Sequence, residues 1–530
     1  MPYAIYLLHI FLFRDWIVDD AGISFAYARN LAQGFGLVSQ PGLEPVEGYS
    51  NFTWVLLLVP FFWLKLFHPI IIPKLLSIFL VFSSFIILQK TFRLISKNPF
   101  WITFFCLLLL SINTSFIVWT TSGLENPLYI FLAVILLNQM INLSLVLKNK
   151  TVIIISILAS LLAMTRPDGI LYFFVFVIFM LVNHASFKST VVNIGVYLAV
   201  FTLIYGSFLL FRLLYFKDFF PNPYYVKGGP AFDDLINLLL LKPEIQIKIY
   251  QLFNSVVTFW GSLFFLGLSV ITAYLIYLKF LTKQHFVLIL MLIFSGLTYI
   301  LLPYDWMGEF RFATSFIILF YVCLLIFAER LIQIVKWQTF GKIIFTGVFI
   351  VAFILPSIID FANRTYHYRL KQAPSFTWIA RYVNRYNNYV SMLNVNNASL
   401  LLPDIGGAIY YSRLRIYDFG GLTNKTIAKT MMCAEHNLFK KREKDFYDYI
   451  FEKIKPTFIH THGVWTYRAK FDMDERFRRD YIPITEKIEK SDLNKNGRLK
   501  LYSGEYIRKD VVNGNLEIFQ KITQPKTISN

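Results

Sequence analysis

WITFFCLLLLSINTSFIVWTTSGL, running from Trp101 to Leu124, holds no side chain charged at neutral pH. A bilayer offers no water to an unpaired backbone, so an apolar run of this length reads as a helix that crosses lipid. Barrel strands would alternate apolar and polar residues, and this run does not. The same pattern recurs along the chain. Of 530 residues 56% are hydrophobic and only 16% charged, against about 25% charged in ordinary soluble domains.

Apolar spans are predicted at roughly 3–18, 70–89, 100–119, 126–147, 151–164, 169–184, 190–214, 255–278, 284–302, 311–328 and 341–358, which makes eleven crossings. The first is short and holds Arg14 and Asp15, which leaves the natural start open and shows no small-residue cleavage site. The apolar stretch 52–67, with Trp54 and Trp63, is placed flat or re-entrant at the interface. The loops then sort by side. One side carries Lys90, Arg93, Lys97, Lys148, Lys150, Lys188, Lys279, Lys283, Arg330, Lys336 and Lys342 and is assigned to the cytoplasm. The other carries 19–50, 120–125, 165–169, 215–254, 303–311 and everything after 360.

The net charge of +19 is absorbed by this sorting and by a basic C-terminal part, so nucleic acid is not the expected partner. Cys106, Cys323 and Cys433 show no disulfide framework. After residue 360 the composition turns polar, with strand-like runs at 398–403, 415–419 and 457–460. The expected fold is therefore an all-α polytopic membrane domain over 1–359 and a soluble C-terminal α/β domain over 360–530 on the non-cytoplasmic side.

Ionisable groups gather on that one side, and the span middles are nearly free of them, unlike a transporter with charges at the bilayer centre. Asp19 and Asp20 follow the first span. Two close carboxylates push their pKa values apart and can poise one as a base, alone or with a metal; an N-cap for the helix predicted over 21–33 is the plainer reading. Glu47 and Tyr49 sit in PVEGYS, residues 45–50. Glu125 opens a helix, and favourable charge at a helix N-terminus also accounts for it. Arg166 and Asp168 can pair with each other. Asp305, Glu309 and Arg311 cluster at the start of a span, where an arginine can hold a phosphate through two bonds. Tyr224, Tyr225 and Lys227 offer aromatic hydroxyls and a cation in the largest loop. His460 and His462 are a thin basis for a metal site. No P-loop, GxGxxG or HExxH occurs, and no cytoplasmic part is large enough to bind a nucleotide sugar, so if the chain is a transferase its activated donor would arrive through the lipid.

With these residues in order, the chain resembles the GT-C superfamily of polytopic glycosyltransferases, and within it the mycobacterial terminal arabinofuranosyltransferase group. The motifs are DDAGISFAYARNLAQG from Asp19, then 45–50, 119–125, 165–169, 221–227, 304–311, Asp404 to Gly407 and Asp418 to Leu422. The resemblance covers about residues 1–465. It implies a polyprenyl-phosphate-linked sugar as donor and an inverting single displacement. Asp19 would be the base with Asp20 assisting, and Arg311, then Arg166, would hold the donor phosphate. The expected acceptor is an envelope glycan or glycolipid, and the expected place is the bacterial inner membrane with the C-terminal domain periplasmic. A divalent metal is left open. The alternatives are a flippase for lipid-linked sugars and a non-catalytic glycan-binding envelope protein.

Overall fold

The structure is a computed structural model and describes residues 1–183, 186–227, 232–258, 260–277, 281–303, 305–334, 347, 350–431, 439–463, 465–466, 470–488, 502–513 and 516–523. Among these, five helices are long and apolar enough to cross a bilayer: Ile71–Ile95, Asn126–Leu145, Phe187–Phe216, Lys283–Ile300 and Arg311–Gln333. Arg311–Gln333 is 94% buried and Phe187–Phe216 only 17%, so the first is the central post of the bundle and the second faces outward. Residues of all five contribute to one continuous core.

The expected count of eleven crossings reduces to several apolar helices. Pro2–Phe13, Asn149–Thr165, Pro167–Val182 and Leu266–Tyr277 are apolar but shorter. Of the expected crossing 341–358, residues 341–346, 348 and 349 lie outside the described residues, and its end runs through Ile350–Ile354 into the Leu355–Leu370 helix. The crossing expected over 100–119 is not straight. Pro99–Ser111 and Thr114–Thr121 meet at 72°, because the Asn113 side chain caps the second piece by accepting from the Phe116 amide. The same side chain donates to the Ser255 and Val256 carbonyls, so the bend is tied to another part of the bundle. Phe52–Trp63 has 12 residues, about 18 Å at 1.5 Å per residue, too little to cross; it packs on Ala21–Ala32.

The C-terminal region carries a sheet of five described strands: β1 (Ser399–Leu402), β2 (Arg415–Asp418), β3 (Phe458–Thr461), β4 (Tyr481–Ile488) and β5 (Tyr502–Arg508), in the order β2-β1-β3-β5-β4. β1 pairs in parallel with β2 and β3, while β3–β5 and β5–β4 are antiparallel. Leu400, Leu401 and Leu402 are fully buried, as a central strand covered on both faces requires. The Leu355–Leu370 helix runs through position 360, so the change to a polar composition falls inside one helix.

The membrane part and the sheet domain are stitched by backbone. Val18 bridges Ser375, the Asp19 amide donates to the Pro374 carbonyl at 2.9 Å, and the Phe376 amide donates to Ile17 at 2.9 Å. Lys74 fixes the other side of this seam by donating to the carbonyls of Phe13, Trp16 and Thr121.

Candidate active site

Asp19 and Asp20 are neighbours in sequence with different surroundings. The two Asp19 oxygens accept the amides of Gly406 and Gly407 at 2.8 and 2.7 Å, at the start of the Gly406–Tyr411 helix. A carboxylate there matches the two free N–H groups and the helix dipole. Only glycine permits the approach, since a Cβ on Gly406 would stand 1.7 Å from the Asp19 carbonyl oxygen. Burial pushes the Asp19 carboxyl well above the usual carboxylate range; Asp404 and Asp20 add to this, and the two amides oppose it.

Asp20 occupies the N-cap position of Ala21–Ala32 but makes no side-chain cap. Its carboxyl instead lines a cavity of about 40 Å³ with Ser24, Tyr49, Asn51, Glu125, Lys227 and Arg311. Burial raises its pKa; Lys227 and Arg311 pull it down, and Asp305 and Asp404 push it up. A gap of this size admits a water or two, not a sugar, so substrate entry requires it to widen. Glu125 is held in the wall, accepting from Asn51 at 2.9 Å, and Asn51 in turn bonds Ser24. The Tyr49 hydroxyl is buried there without a hydrogen-bond partner among the described residues.

Arg311 is shared by this cavity and a second one of about 310 Å³, lined also by Lys248, Tyr299, Pro303, Asp305, Glu309 and Phe312. Its guanidinium lies 3.5 Å from Asp305, an ion pair without a hydrogen bond, and donates to the Met307 sulfur at 3.1 Å. A buried cation so lightly engaged retains donors for an anion. The chain reaches Arg311 through Gly308, Glu309 and Phe310, all at positive φ (76°, 48° and 50°). Left-handed backbone costs about 1–3 kcal/mol at a non-glycine residue. The turn is held by Arg364, which donates to Glu309 at 2.5 Å, and by Trp119, whose indole donates to the Glu309 carbonyl at 2.8 Å.

Arg166 lies behind Arg311. It is locked in a two-bond pair with Asp168, each bond 3.0 Å, and Tyr129 also donates to Asp168. The two guanidinium groups converge on one ring, each 4.6 Å from the centre of Phe312. Arg166 and Asp168 line neither cavity.

Other expected residues are placed elsewhere. Glu47 is spent on Arg212, at 2.6 and 3.2 Å. Tyr224 stacks on Phe220, and Tyr225 donates to Asp218; neither lines the cavity that Lys227 lines. Among the described residues no group of three or more His, Cys, Asp or Glu side chains is arranged to hold a metal. His460 and His462 are engaged by Tyr382 and Asp404. Sequence reasoning passed over Asn51, Ser24, Arg212, Arg364 and Asn222. Asn222 donates to the carbonyls of Gly421 and Leu422, and its amide donates to Glu47, so it ties three loops beside the cavity. These roles rest on partners up to 249 residues away, and no local pattern announces them.

A family model described as a domain of unknown function (DUF8728) matches residues 368–503, the sheet region. None of the curated proteins matches the chain. Solved structures do. An oligosaccharyltransferase of Archaeoglobus fulgidus, tethered to an acceptor peptide containing the NVT sequon, aligns at TM-score 0.57 and 12% identity over 91% of this chain and 72% of that one. The same organism's AglB, in complex with an inhibitory peptide and a dolichol-phosphate, aligns at TM-score 0.53 and 11% identity over 89% and 71%. ArnT from Cupriavidus metallidurans, bound to undecaprenyl phosphate, aligns at TM-score 0.51 and 10% identity over 95% and 97%. At these identities the likeness is one of fold. These neighbours are of the GT-C type, and nothing in them singles out the arabinofuranosyltransferase group.

Proposed function

We propose that the chain is an inverting glycosyltransferase. It moves a sugar from a polyprenyl-phosphate donor to an envelope glycan or glycolipid, on the side of the membrane where the sheet domain lies. One observation carries this reading: Arg311 forms a wall of both the cavity holding Asp20 and the larger cavity beside it. A base and a phosphate-binding cation then face a common point. The fold neighbours include structures holding undecaprenyl phosphate and a dolichol-phosphate, which supports a lipid-phosphate donor.

In this scheme Asp20, rather than Asp19, takes the proton from an acceptor hydroxyl. The acceptor oxygen attacks the anomeric carbon, and the bond from that carbon to the phosphate oxygen breaks. The charge gathering on the leaving polyprenyl phosphate is met by Arg311 and Lys227. Asp19 holds the loop through Gly406 and Gly407, and Arg166 supports Arg311 through Phe312. Glu125, Tyr49 and Asn51 supply hydrogen bonds to the sugar. The periplasmic side, the inner bacterial membrane and kinship with the arabinofuranosyltransferase group are part of the same proposal; they rest on the loop-charge sorting and the motif resemblance.

The test is genetic and chemical. A strain lacking the protein should lose a sugar from its envelope glycan. Wild-type protein should restore it and D20N, at equal membrane level, should not. Restoration by D20N would remove the mechanism.

A further inference from the structure

Outside the cavity, the sheet domain carries a row of rings. Trp378 and Tyr382, one turn apart on the Phe376–Leu393 helix, stack with centroids 5.7 Å apart and planes 24° from parallel. Tyr382 lies 4.5 Å from His460, and His460 lies 5.5 Å from His462. His462 ends the row on Asp404, with Nε2 2.9 Å from the carboxylate. The row thus runs ring to ring from an indole that is 55% exposed to Asp404, which stands just before the Gly406 and Gly407 amides that hold Asp19.

The row is built rather than incidental. Glu505, buried on β5, accepts from Tyr382 at 2.8 Å, from Arg385 at 2.6 Å and from Tyr389 at 3.2 Å. Tyr382 also bonds His460 Nδ1 at 2.5 Å, and the Arg385 guanidinium sits 5.1 Å over the Tyr382 ring. The phenol and the first imidazole are therefore fixed in orientation. Burial holds His460 down at about 3, so it is a neutral ring at working pH. Arg385 and His462 stay half-exposed, with side chains 51% and 36% open.

The exposed Trp378 indole, backed by the Tyr382 and His460 rings and flanked by planar polar groups, matches the chemistry of a carbohydrate, which has C–H faces and a rim of hydroxyls. Rigid aromatic surface supplies contact at low entropy cost, while Asp404, His462 and Arg385 supply the donors and acceptors that hydroxyls need. A peptide groove would offer a sheet edge or an apolar trough, and this row is neither. Its continuity with the acid pair gives it a direction, since a glycan lying along it presents one end to the cavity.

We propose that the row Trp378–Tyr382–His460–His462–Asp404 is a platform that binds the glycan of the acceptor and delivers its terminal hydroxyl toward Asp20. The proposal rests on the transfer reading for its direction, but the binding itself does not.

The test uses the full chain in lipid nanodiscs on an array of bacterial capsular, O-antigen and cell-wall oligosaccharides. Wild type should bind at least one class. W378A and H462A should each weaken it about tenfold, the equivalent of about 1.4 kcal/mol, and W378F less. Absence of any bound glycan, or equal binding by W378A, would overturn the platform. So would a fall in tryptophan quenching by brominated lipid in W378F with glycan binding unchanged, which would make the indole a membrane anchor. Glycan binding by a protein that transfers no sugar would leave the platform in place and remove the transfer reading.

Discussion

Asp20 combines three properties that a base requires: it makes no cap, it opens onto a cavity, and its pKa is raised. Replacing it by asparagine should lower transfer by about 10²–10⁴-fold, the usual worth of a general base, with little change in melting temperature. A raised carboxyl must lose its proton before it can accept one. Transfer should therefore fall as pH drops through a point above the ordinary aspartate value of about 3.9, and a pH–rate profile reads this. D19N should behave differently. It loses one of two charge-assisted amide bonds, worth about 1.5–3 kcal/mol, so thermal stability should fall along with activity. Arg311→Ala should cost about 10²–10³ in turnover if the guanidinium meets charge that develops in the transition state.

At the scale of elements, the turn 308–310 holds Arg311 in a costly backbone, and Arg364 pays for part of it. Arg364→Ala strands Glu309 in a buried site, where breaking one side of an ion pair costs about 3–5 kcal/mol. It should lower the melting temperature and the affinity for lipid phosphate together, measured by unfolding and by binding of undecaprenyl phosphate. G406A drives a methyl group into the Asp19 carbonyl and should loosen the sheet domain, which limited proteolysis near residue 370 would detect. The elements legible in the sequence were those with a strong period or a strong hydrophobic bias. Runs 398–403, 415–419 and 457–460 became β1, β2 and β3. β4 and β5 escaped because YIPITEKI and YSGEYIR mix charge, Pro483 and Gly504 into strands at one side of the sheet, where the ladder is interrupted between Pro483 and Thr485. The bend at Asn113 escaped because one asparagine scarcely changes the hydropathy of a long apolar run.

For the whole molecule, the apolar bundle was plain from composition, since lipid allows few alternatives. What local sequence does not carry is the fold's long closure. Asp19 meets Gly406 and Gly407, Arg364 meets Glu309, and Arg212 meets Glu47, each pairing set by packing across the chain. That closure brings Asp20, Lys227, Arg311 and, from the C-terminal region, Leu422 around one small cavity. The most direct measurement is a structure of the protein in nanodiscs with undecaprenyl phosphate. The phosphate should lie within hydrogen-bonding distance of the Arg311 guanidinium, in the cavity shared with Asp305, with Asp20 facing it. A phosphate bound on the far side of the bundle, near Lys97 and Arg330, would contradict the account.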